Sequence, residues 1–151
     1  MLTDKTTIAQ VFSNCHDGTI HLERKEGLNQ YWKIDCLYLA KMIHPTYEFF
    51  WLKLDNVKRL EFHPLNKDLT TPTKIWTTFE AIAQLELEIL TATVENNNIK
   101  IIGQQDNPIL DSEGGELWLD SQGITFWDEK KQPLSAESFR VITNRYWNEN
   151  F

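Results

Sequence analysis

The chain alternates apolar and polar side chains over most of its length, which is the pattern of half-buried β-strands. The alternation begins near Thr19, where Ile20 and Leu22 are separated by His21. It returns in the segments 31–42, 49–54, 57–62, 85–94, 99–102, 116–119 and 124–127. Parts of the segments 31–42 and 49–54 carry apolar residues on both faces, so we expect both faces of these strands to be covered.

Polar stretches between these segments predict how the strands connect. Residues 55–56, Asp-Asn, predict a tight turn. Residues 96–98, three asparagines, predict a hairpin in which Val94 pairs with Ile99. The apolar positions change parity at residues 89–90, which predicts a bulge or a strand covered on both sides.

A second hairpin is predicted around residues 120–123, Asp-Ser-Gln-Gly. With these four residues as the loop, Leu119 faces Ile124 and Leu117 faces Phe126, which is a coherent apolar pairing. A three-residue loop would set Leu119 against Thr125 and lose this pairing, so the four-residue loop is preferred.

The two ends of the chain have the helical period instead. Asp4 is a suitable N-cap, and Ile8, Val11 and Phe12 follow at helical spacing. Near the other end, Ser135 is a suitable N-cap for a helix that extends to about Trp147. The residues on the apolar face of this second helix are Phe139, Ile142 and Tyr146. We expect it to cover the sheet face that carries Leu37, Leu39, Phe49 and Trp51.

These elements predict a mainly β fold in one domain, residues 1–151, with α+β as the alternative. The arrangement is a single antiparallel sheet, a sandwich or an open barrel of seven or eight short strands, with a short N-terminal helix and a C-terminal helix. The long aperiodic stretch at 64–72 is interpreted as an internal crossing. The core is predicted to contain Ile34, Cys36, Leu52, Leu54, Leu117, Leu119 and Phe126.

Composition supports one folded domain, and net charge limits the classes of partner that we expect. The 151 residues are 41% hydrophobic and 25% charged, and a domain of this size needs no metal or disulfide to fold. The formal net charge is −7, and no basic stripe interrupts the excess of acidic residues. Because nucleic-acid binding depends on cationic side chains that replace counterions, we expect no nucleic-acid partner and favour a basic protein partner.

The sequence does not predict membrane association. No apolar run approaches the ~20 residues that span a bilayer, and the first residues lack the order of a signal peptide. We therefore expect no membrane association and a cytoplasmic location.

The two cysteines, Cys15 and Cys36, lack CxxC spacing, and Cys36 is expected to be a buried free thiol. Whether the two cysteines pair stays open, because pairing depends on a separation in space.

No catalytic or metal-binding pattern is present in the sequence. The four histidines, His16, His21, His44 and His63, lie in different predicted turns and strands rather than at zinc-ligand spacing. Cys15 next to His16 is only a sequence neighbour, and no nucleophile elbow occurs. Glu86 and Glu88 share a predicted strand face, which is typical of a solvated surface. We expect no catalytic residue, no metal and no cofactor.

The more informative group is aromatic. In the hairpin register Trp118 faces Thr125 and Glu116 faces Trp127, which gathers Glu116, Trp118, Asp120 and Trp127 on or beside one face. Indole rings beside carboxylates suit a cationic or sugar-like contact, and tryptophan is enriched at protein-binding hot spots. These four residues are the predicted partner-binding site. The alternative is that the C-terminal helix packs over the two tryptophans.

Two segments carry a resemblance to known proteins. Residues 12–20, Phe-Ser-Asn-Cys-His-Asp-Gly-Thr-Ile, and residues 50–60, Phe-Trp-Leu-Lys-Leu-Asp-Asn-Val-Lys-Arg-Leu, are separated by alternating strands. This opening resembles that of small β-rich bacterial proteins that include immunity proteins of polymorphic toxin systems. The resemblance covers about the first 65 residues. It implies a single domain that binds and blocks a toxin, and it supplies no catalytic residues.

The sequence therefore favours a non-enzymatic protein-binding module, in its finer form an immunity-type inhibitor of a basic toxin. The first alternative is a small-ligand-binding β domain whose two-sided apolar strands line an aromatic pocket. A hydrolase that uses Glu or His residues is third. The oligomeric state stays open.

Overall fold

The structure is a computed structural model that describes residues 1–65, 74–105, 107, 110 and 112–150. Its helices are α1 (Lys5–Asn14), α2 (Leu37–Ile43), α3 (Phe79–Ala83) and α4 (Ala136–Asn150). Its strands are β1 (Thr19–Glu26), β2 (Asn29–Asp35), β3 (Phe49–Pro64), β4 (Glu88–Glu95), β5 (Asn98–Gln104), β6 (Gly114–Trp127) and β7 (Pro133–Leu134). Most of the predicted crossing at 64–72 lies outside the described residues.

The mainly β fold is confirmed, with one antiparallel sheet in the order β3-β2-β1-β4-β5-β6-β7. Because β3 also pairs with β6, the strands from β1 to β6 form a closed ring. The two-residue strand β7 pairs with the last residues of β6, on the side away from β3. The seam between β1 and β4 is short. Its Cα register contains the pair Thr19 and Glu88, and the Ile20 N–H donates to the Leu87 carbonyl at 2.8 Å.

Helix α1 lies along β4, next to this seam. As predicted, Asp4 caps it, with a carboxylate oxygen that accepts from the Thr7 N–H at 2.9 Å. At its other end the Ser13 hydroxyl donates to the Ala92 carbonyl at 2.9 Å and accepts from the Ala92 N–H at 3.0 Å. The buried Phe12 ring packs against the sheet interior. The helix therefore completes the side of β4 that does not pair with β5.

The prediction of one strand over 31–42 is wrong in its second half. Strand β2 ends at Asp35, Cys36 is the N-cap residue, and residues 37–43 form α2. The segment from Leu37 to Met42 contains no β-branched residue and several strong helix formers. Over seven residues, leucines two apart fit a short helix as well as a strand, so periodicity alone could not separate the two.

The predicted turn at 55–56 lies inside one long strand, just before a bulge. Strand β3 has 16 residues, and its register against β6 shifts between Val57 and Arg59. Asn56 adopts a positive φ of 48°, which an asparagine tolerates better than most residues. The polar pair therefore bends the strand and does not reverse it.

The predicted hairpin at 120–123 is also wrong, because β6 runs without interruption through these residues. Leu119 pairs with Leu60 on β3 and with Ile99 on β5, and Leu54 is the partner of Ile124. The positions of β6 that face the inside of the ring change from odd to even residue numbers within 121–124, opposite residues 54–57 of β3. This change keeps the apolar residues on both sides of 120–123 inside the ring, as the hairpin would have done.

The smaller predictions about β4 and β5 are confirmed. Val94 pairs with Ile99, and the turn between them contains Asn96 and Asn97 with φ of 51° and 62°. The register between β4 and β5 shifts between Ile89 and Thr91, which is the predicted irregularity. Local turn chemistry was sufficient here because strand and partner are adjacent in sequence.

All seven predicted core residues are buried. The inside of the ring is filled by aromatic and aliphatic side chains, the largest being Trp32, Phe12, Phe50, Phe62, Phe126 and Phe139. Phe139 of α4 packs with ring centroids 5.0 Å from Phe50 and 5.3 Å from Phe126, so α4 closes one end of this core. The predicted N-cap is confirmed, since Ser135 Oγ accepts from the Ser138 N–H at 3.1 Å.

The prediction that the C-terminal helix covers the sheet face with Leu37, Leu39, Phe49 and Trp51 is wrong. Leu37 and Leu39 belong to α2, which packs beside α4. On β3 the buried positions are Phe50 and Leu52, so Phe49 and Trp51 point to the outside of the ring. Helix α4 meets the opposite face of β3 because its anchor is Phe139.

Candidate protein-binding surface

The four predicted site residues all lie on the outer face of β6, but at two separate places. Glu116, Trp118 and Asp120 occupy alternate outward positions of one strand segment. Trp127 also points outward, nine residues further along the strand. At ~3.3 Å per residue that separation is about 30 Å, so the structure brings three of the residues together and leaves Trp127 apart.

We call the first place the Trp118 patch, formed by Arg59, Glu61 and His63 of β3, Glu116, Trp118 and Asp120 of β6, and Lys100 of β5. Trp118 pairs with Glu61 on one side and Lys100 on the other. The Arg59 guanidinium carbon lies 5.1 Å, and the Lys100 Nζ 5.6 Å, from the indole centroid. The indole Nε1 is buried without a hydrogen-bond partner among the described residues. The half-buried indole thus holds two cations of its own chain.

The two predicted carboxylates beside Trp118 are ion-paired within the chain. Glu116 lies 3.4 Å from the Lys100 Nζ, and Asp120 lies 3.0 Å from the Lys5 Nζ. The hydrogen bond to Glu95, followed by the contact with Glu116, raises the pKa of the Lys100 ammonium group. The sequence could not supply Lys5 and Lys100 as partners, because α1 and β5 reach β6 only in the folded chain.

Glu61 links the remaining charges of the Trp118 patch. Its Oε1 accepts from Arg59 at 2.8 Å and lies 3.1 Å from the His63 Nε2. The Arg59 hydrogen bond, followed by the His63 contact, lowers the pKa of Glu61 despite partial desolvation. The same pair raises the pKa of Arg59. These residues were missed as a site because the register between β3 and β6 was not known.

We call the second place the Trp127 patch, formed by Phe49, Trp51, Trp127, Lys33 and Lys131. Trp51 and Trp127 are directly paired residues of β3 and β6. The Lys131 Nζ lies 4.1 Å from the Trp51 centroid and 5.6 Å from the Trp127 centroid. Phe49 meets Trp51 edge-on at 5.0 Å, and the Lys33 Nζ lies 5.0 Å from the Phe49 centroid. The period-two pattern of residues 49–54 was the feature of the sequence that could have predicted the outward position of Phe49 and Trp51.

The alternative of a helix over the two tryptophans is not observed. Helix α4 lies against α1, α2 and β7, and Phe139 contacts inward-facing rings. The outer faces of Trp118 and Trp127 instead meet the chain's own basic side chains.

A third feature, which we call the acidic corner, lies where β4 begins and β5 ends. An open cleft there is lined by Thr19, Leu85, Glu86, Glu88, Gln104, Gln105 and Asn107. The residues that line the cleft include two carboxylates, Glu86 and Glu88, and no Lys or Arg. Glu86 and Glu88 do not share a strand, because β4 begins at Glu88 and Glu86 has a positive φ of 45°.

The histidines lie apart from one another. His21 Nε2 is 2.7 Å from Asp35, and its Nδ1 is 3.8 Å from Glu86. His16 stacks on Trp147 of α4 with ring centroids 6.0 Å apart. Among the described residues, no three His, Cys, Asp or Glu side chains group as metal ligands. The expected burial of Cys36 as a free thiol is confirmed, and Cys15 is also buried and free.

Comparisons with known proteins identify no relative: no family model matches the chain, and neither a curated protein nor a solved structure matches it. The resemblance to immunity proteins therefore stays a prediction. Of the helices in the described part of the chain, none combines the length and apolar character needed to cross a membrane.

Proposed function

We propose that this chain is a non-enzymatic protein-binding module that binds a basic partner through the outer face of β3 and β6. The observation that carries the proposal is the set of cations already seated on the outward aromatic rings of these strands. An indole face that holds the chain's own lysine or arginine has the geometry to hold one from a partner.

The two patches offer different contacts to such a partner. The Trp127 patch presents adjacent aromatic rings, which supply large contact area at low entropic cost. The Trp118 patch surrounds one indole with paired charges, a polar arrangement typical of an interface rim. The net charge of −7 and the acidic corner attract a basic protein over longer distances and raise the association rate at low salt.

The finer form of the proposal is an immunity-type inhibitor that blocks a basic toxin. The resemblance of residues 12–20 and 50–60 supports it, as does the outer position of the aromatic surface on a densely filled core. A stoichiometric inhibitor needs a rigid surface and no catalytic group. Strands β3 and β6, paired over most of their length, provide such a rigid support.

The test is capture of a partner from native lysate on the immobilised chain, followed by affinity measurements with the captured protein. The variants are Trp118→Ala and Trp127→Ala, with Trp147→Ala as the matched control because Trp147 is an exposed tryptophan on α4. We expect a basic protein retained at equal stoichiometry, with affinity at least about tenfold lower for either of the two variants. Equal affinity for all three would place the interface elsewhere and contradict the proposal.

The small-ligand alternative loses its main support. It depended on two-sided apolar strands that line a pocket, whereas Phe50, Phe62 and Phe126 occupy the inside of the ring. The second part of the segment 31–42 is a helix, so it does not form such a strand.

A hydrolase, which was third among the predictions from the sequence, becomes the second candidate because of one contact. His21 is held by Asp35 at 2.7 Å and lies 3.8 Å from Glu86, a residue that lines the open cleft. A carboxylate orients an imidazole that acts as a base in this way. Hydrolysis of a simple activated ester by the wild-type chain, lost in His21→Asn and kept in His44→Asn, would favour it. Equal rates in all three chains would exclude His21 as the base.

A further inference from the structure

The two cysteines, 21 positions apart in sequence, meet at the junction of α1 and α2. Cys15 is the C-cap residue of α1, and Cys36 is the N-cap residue of α2. The hairpin of β1 and β2 separates them in the chain, and its first Cα pair, Thr19 with Asp35, brings its two ends together. The fold therefore places one cysteine just before the β1–β2 hairpin and the other just after it.

Gly18 shows how closely the two backbones approach. Its N–H donates to the Cys15 carbonyl at 2.9 Å. A Cβ atom at this position would lie 2.8 Å from the Cys15 carbonyl oxygen and 3.1 Å from the Cys36 Cβ. Such a contact is too tight for a side chain, so a glycine is required where the two cysteines converge.

The two thiols lie in the core at the point where Gly18 approaches both residues. Both residues are buried, with 0% of Cys15 and 2% of Cys36 exposed. The interaction between the two thiols raises the pKa of Cys15 and lowers the pKa of Cys36. Cys36, which alone keeps some exposure, is thus the thiol of the pair that more readily becomes the nucleophilic thiolate.

A hydroxyl from α2 fixes the relative position of the two helix ends. Tyr38 Oη donates to the carbonyl oxygens of Asn14 at 3.1 Å and His16 at 2.8 Å, the two neighbours of Cys15 in the chain. Both cysteines are free in the structure. Tyr38 therefore holds the end of α1 beside the start of α2 while both thiols are free.

We propose that Cys15 and Cys36 form a reversible disulfide that fastens the end of α1 to the start of α2, with a small-molecule disulfide as the oxidant. With glutathione disulfide, the Cys36 thiolate attacks one sulfur and expels a glutathione thiolate, which leaves a mixed disulfide on Cys36. The Cys15 thiol then loses its proton and attacks the Cys36 sulfur. The protein disulfide forms, the second glutathione leaves, and the two thiol protons end on the two glutathiones.

This inference is independent of the proposed partner-binding function. The disulfide would close a loop that contains the whole β1–β2 hairpin, which lowers the entropy of the unfolded chain. Because the thiols are pre-positioned, the folded chain should oxidise at a lower ratio of glutathione disulfide to glutathione than the unfolded chain. The difference in that ratio between the folded and the unfolded chain measures how well the native geometry fits the disulfide bond.

The experiment equilibrates the intact chain in glutathione redox buffers, once under native conditions and once in guanidinium chloride, with acid quenching and mass analysis. We expect a Cys15–Cys36 link in peptide mapping, reversal by dithiothreitol, and a native oxidation constant at least about tenfold larger than the denatured one. Tryptophan fluorescence of the oxidised chain should match that of the reduced chain, since Trp32 lies in the core.

Three results would overturn the proposal: a native oxidation constant no larger than the denatured one, a mixed glutathione adduct as the only native product, or loss of native fluorescence on oxidation. Cys15→Ser and Cys36→Ser provide controls, since each should give at most a mixed disulfide. If a serine variant does not fold, the comparison of native and denatured wild-type chain still decides the outcome.

Discussion

Trp51 and Trp127 lie directly opposite each other on β3 and β6, and Lys131 lies over both indole rings. The pair faces outward from a ring of strands whose inside is already filled. Lys131 is exposed and follows β6 by only a few residues, so it can leave the rings without a change in the sheet. A partner's lysine or arginine would compete with it for the same position.

Substitution of Lys131 by alanine should therefore strengthen partner binding. Exposed cation–π contacts contribute about 0.5–1 kcal/mol, so removal of the competitor should raise affinity by about twofold to fivefold. Titration calorimetry with the captured partner measures the change. Lys130→Ala is the control, because Lys130 is the neighbouring lysine and contributes no ring contact in the described structure. Weaker binding after Lys131→Ala would show that Lys131 itself contacts the partner.

Leu52→Ala should destabilise the fold by about 2–5 kcal/mol, because Leu52 is fully buried between the paired strands and leaves a cavity. Urea denaturation followed by tryptophan fluorescence gives the free energy of unfolding. The matched control is Leu90→Ala at an exposed position of β4, where we expect a change within about 0.5 kcal/mol. Equal losses for the two leucines would mean that the described core is wrong.

Ser135→Ala should reduce stability by about 1 kcal/mol, because the Ser138 N–H loses its hydrogen-bond acceptor at the start of α4. Ser135→Asp should retain most of the stability, since aspartate is also a good N-cap and its charge suits a helix N-terminus. Thermal unfolding of the three chains measures the order. If Ser135→Asp is the least stable of them, the cap at this position is not the source of the effect.

Glu61 should make stability depend on pH in the acidic range. Arg59 and His63 lower its pKa from the ordinary value of 4.5, so the unfolded chain takes up this proton at a higher pH than the folded chain. The stabilisation is present above that ordinary value and is lost as pH falls through the lowered one. Wild type should therefore exceed Glu61→Gln in unfolding free energy at neutral pH, with the difference shrinking below about pH 4.5.

Denaturation curves across this pH range test the Glu61 prediction. In an Arg59→Met background the same Glu61→Gln substitution should show a smaller pH-dependent difference, because the main cause of the lowered pKa is gone. An undiminished difference in that background would assign the effect to a group other than Arg59.

Both wrong turns in the sequence interpretation have one physical cause. Residues 55–56 and 120–123 face each other in the β3–β6 pair, with Asp55 opposite Gly123 and Ser121 Oγ donating to the Asp55 carbonyl at 2.7 Å. Polar, turn-forming residues on both strands therefore lie next to the bulge between Val57 and Arg59. Turn residues and bulge residues are chemically alike, and only the long-range partner strand distinguishes them.

The face of the candidate site was predictable, but its geometry was not. Period-two alternation placed Glu116, Trp118, Asp120 and Trp127 on one side of the sheet, and the parity change within β6 preserved that result. The hairpin interpretation would have put Trp118 close to Trp127. In a continuous strand they are far apart, and their neighbours come from segments distant in sequence.

The contact between Ser13 and Ala92 has a consequence for the behaviour of the chain at high concentration. The single hydroxyl occupies both backbone groups of a β4 residue that would otherwise be open to a strand from another molecule. A helix laid along a strand in this way is a barrier against intermolecular sheet growth. Loss of α1 should therefore turn this chain from a self-contained fold into one that aggregates by adding strands at β4.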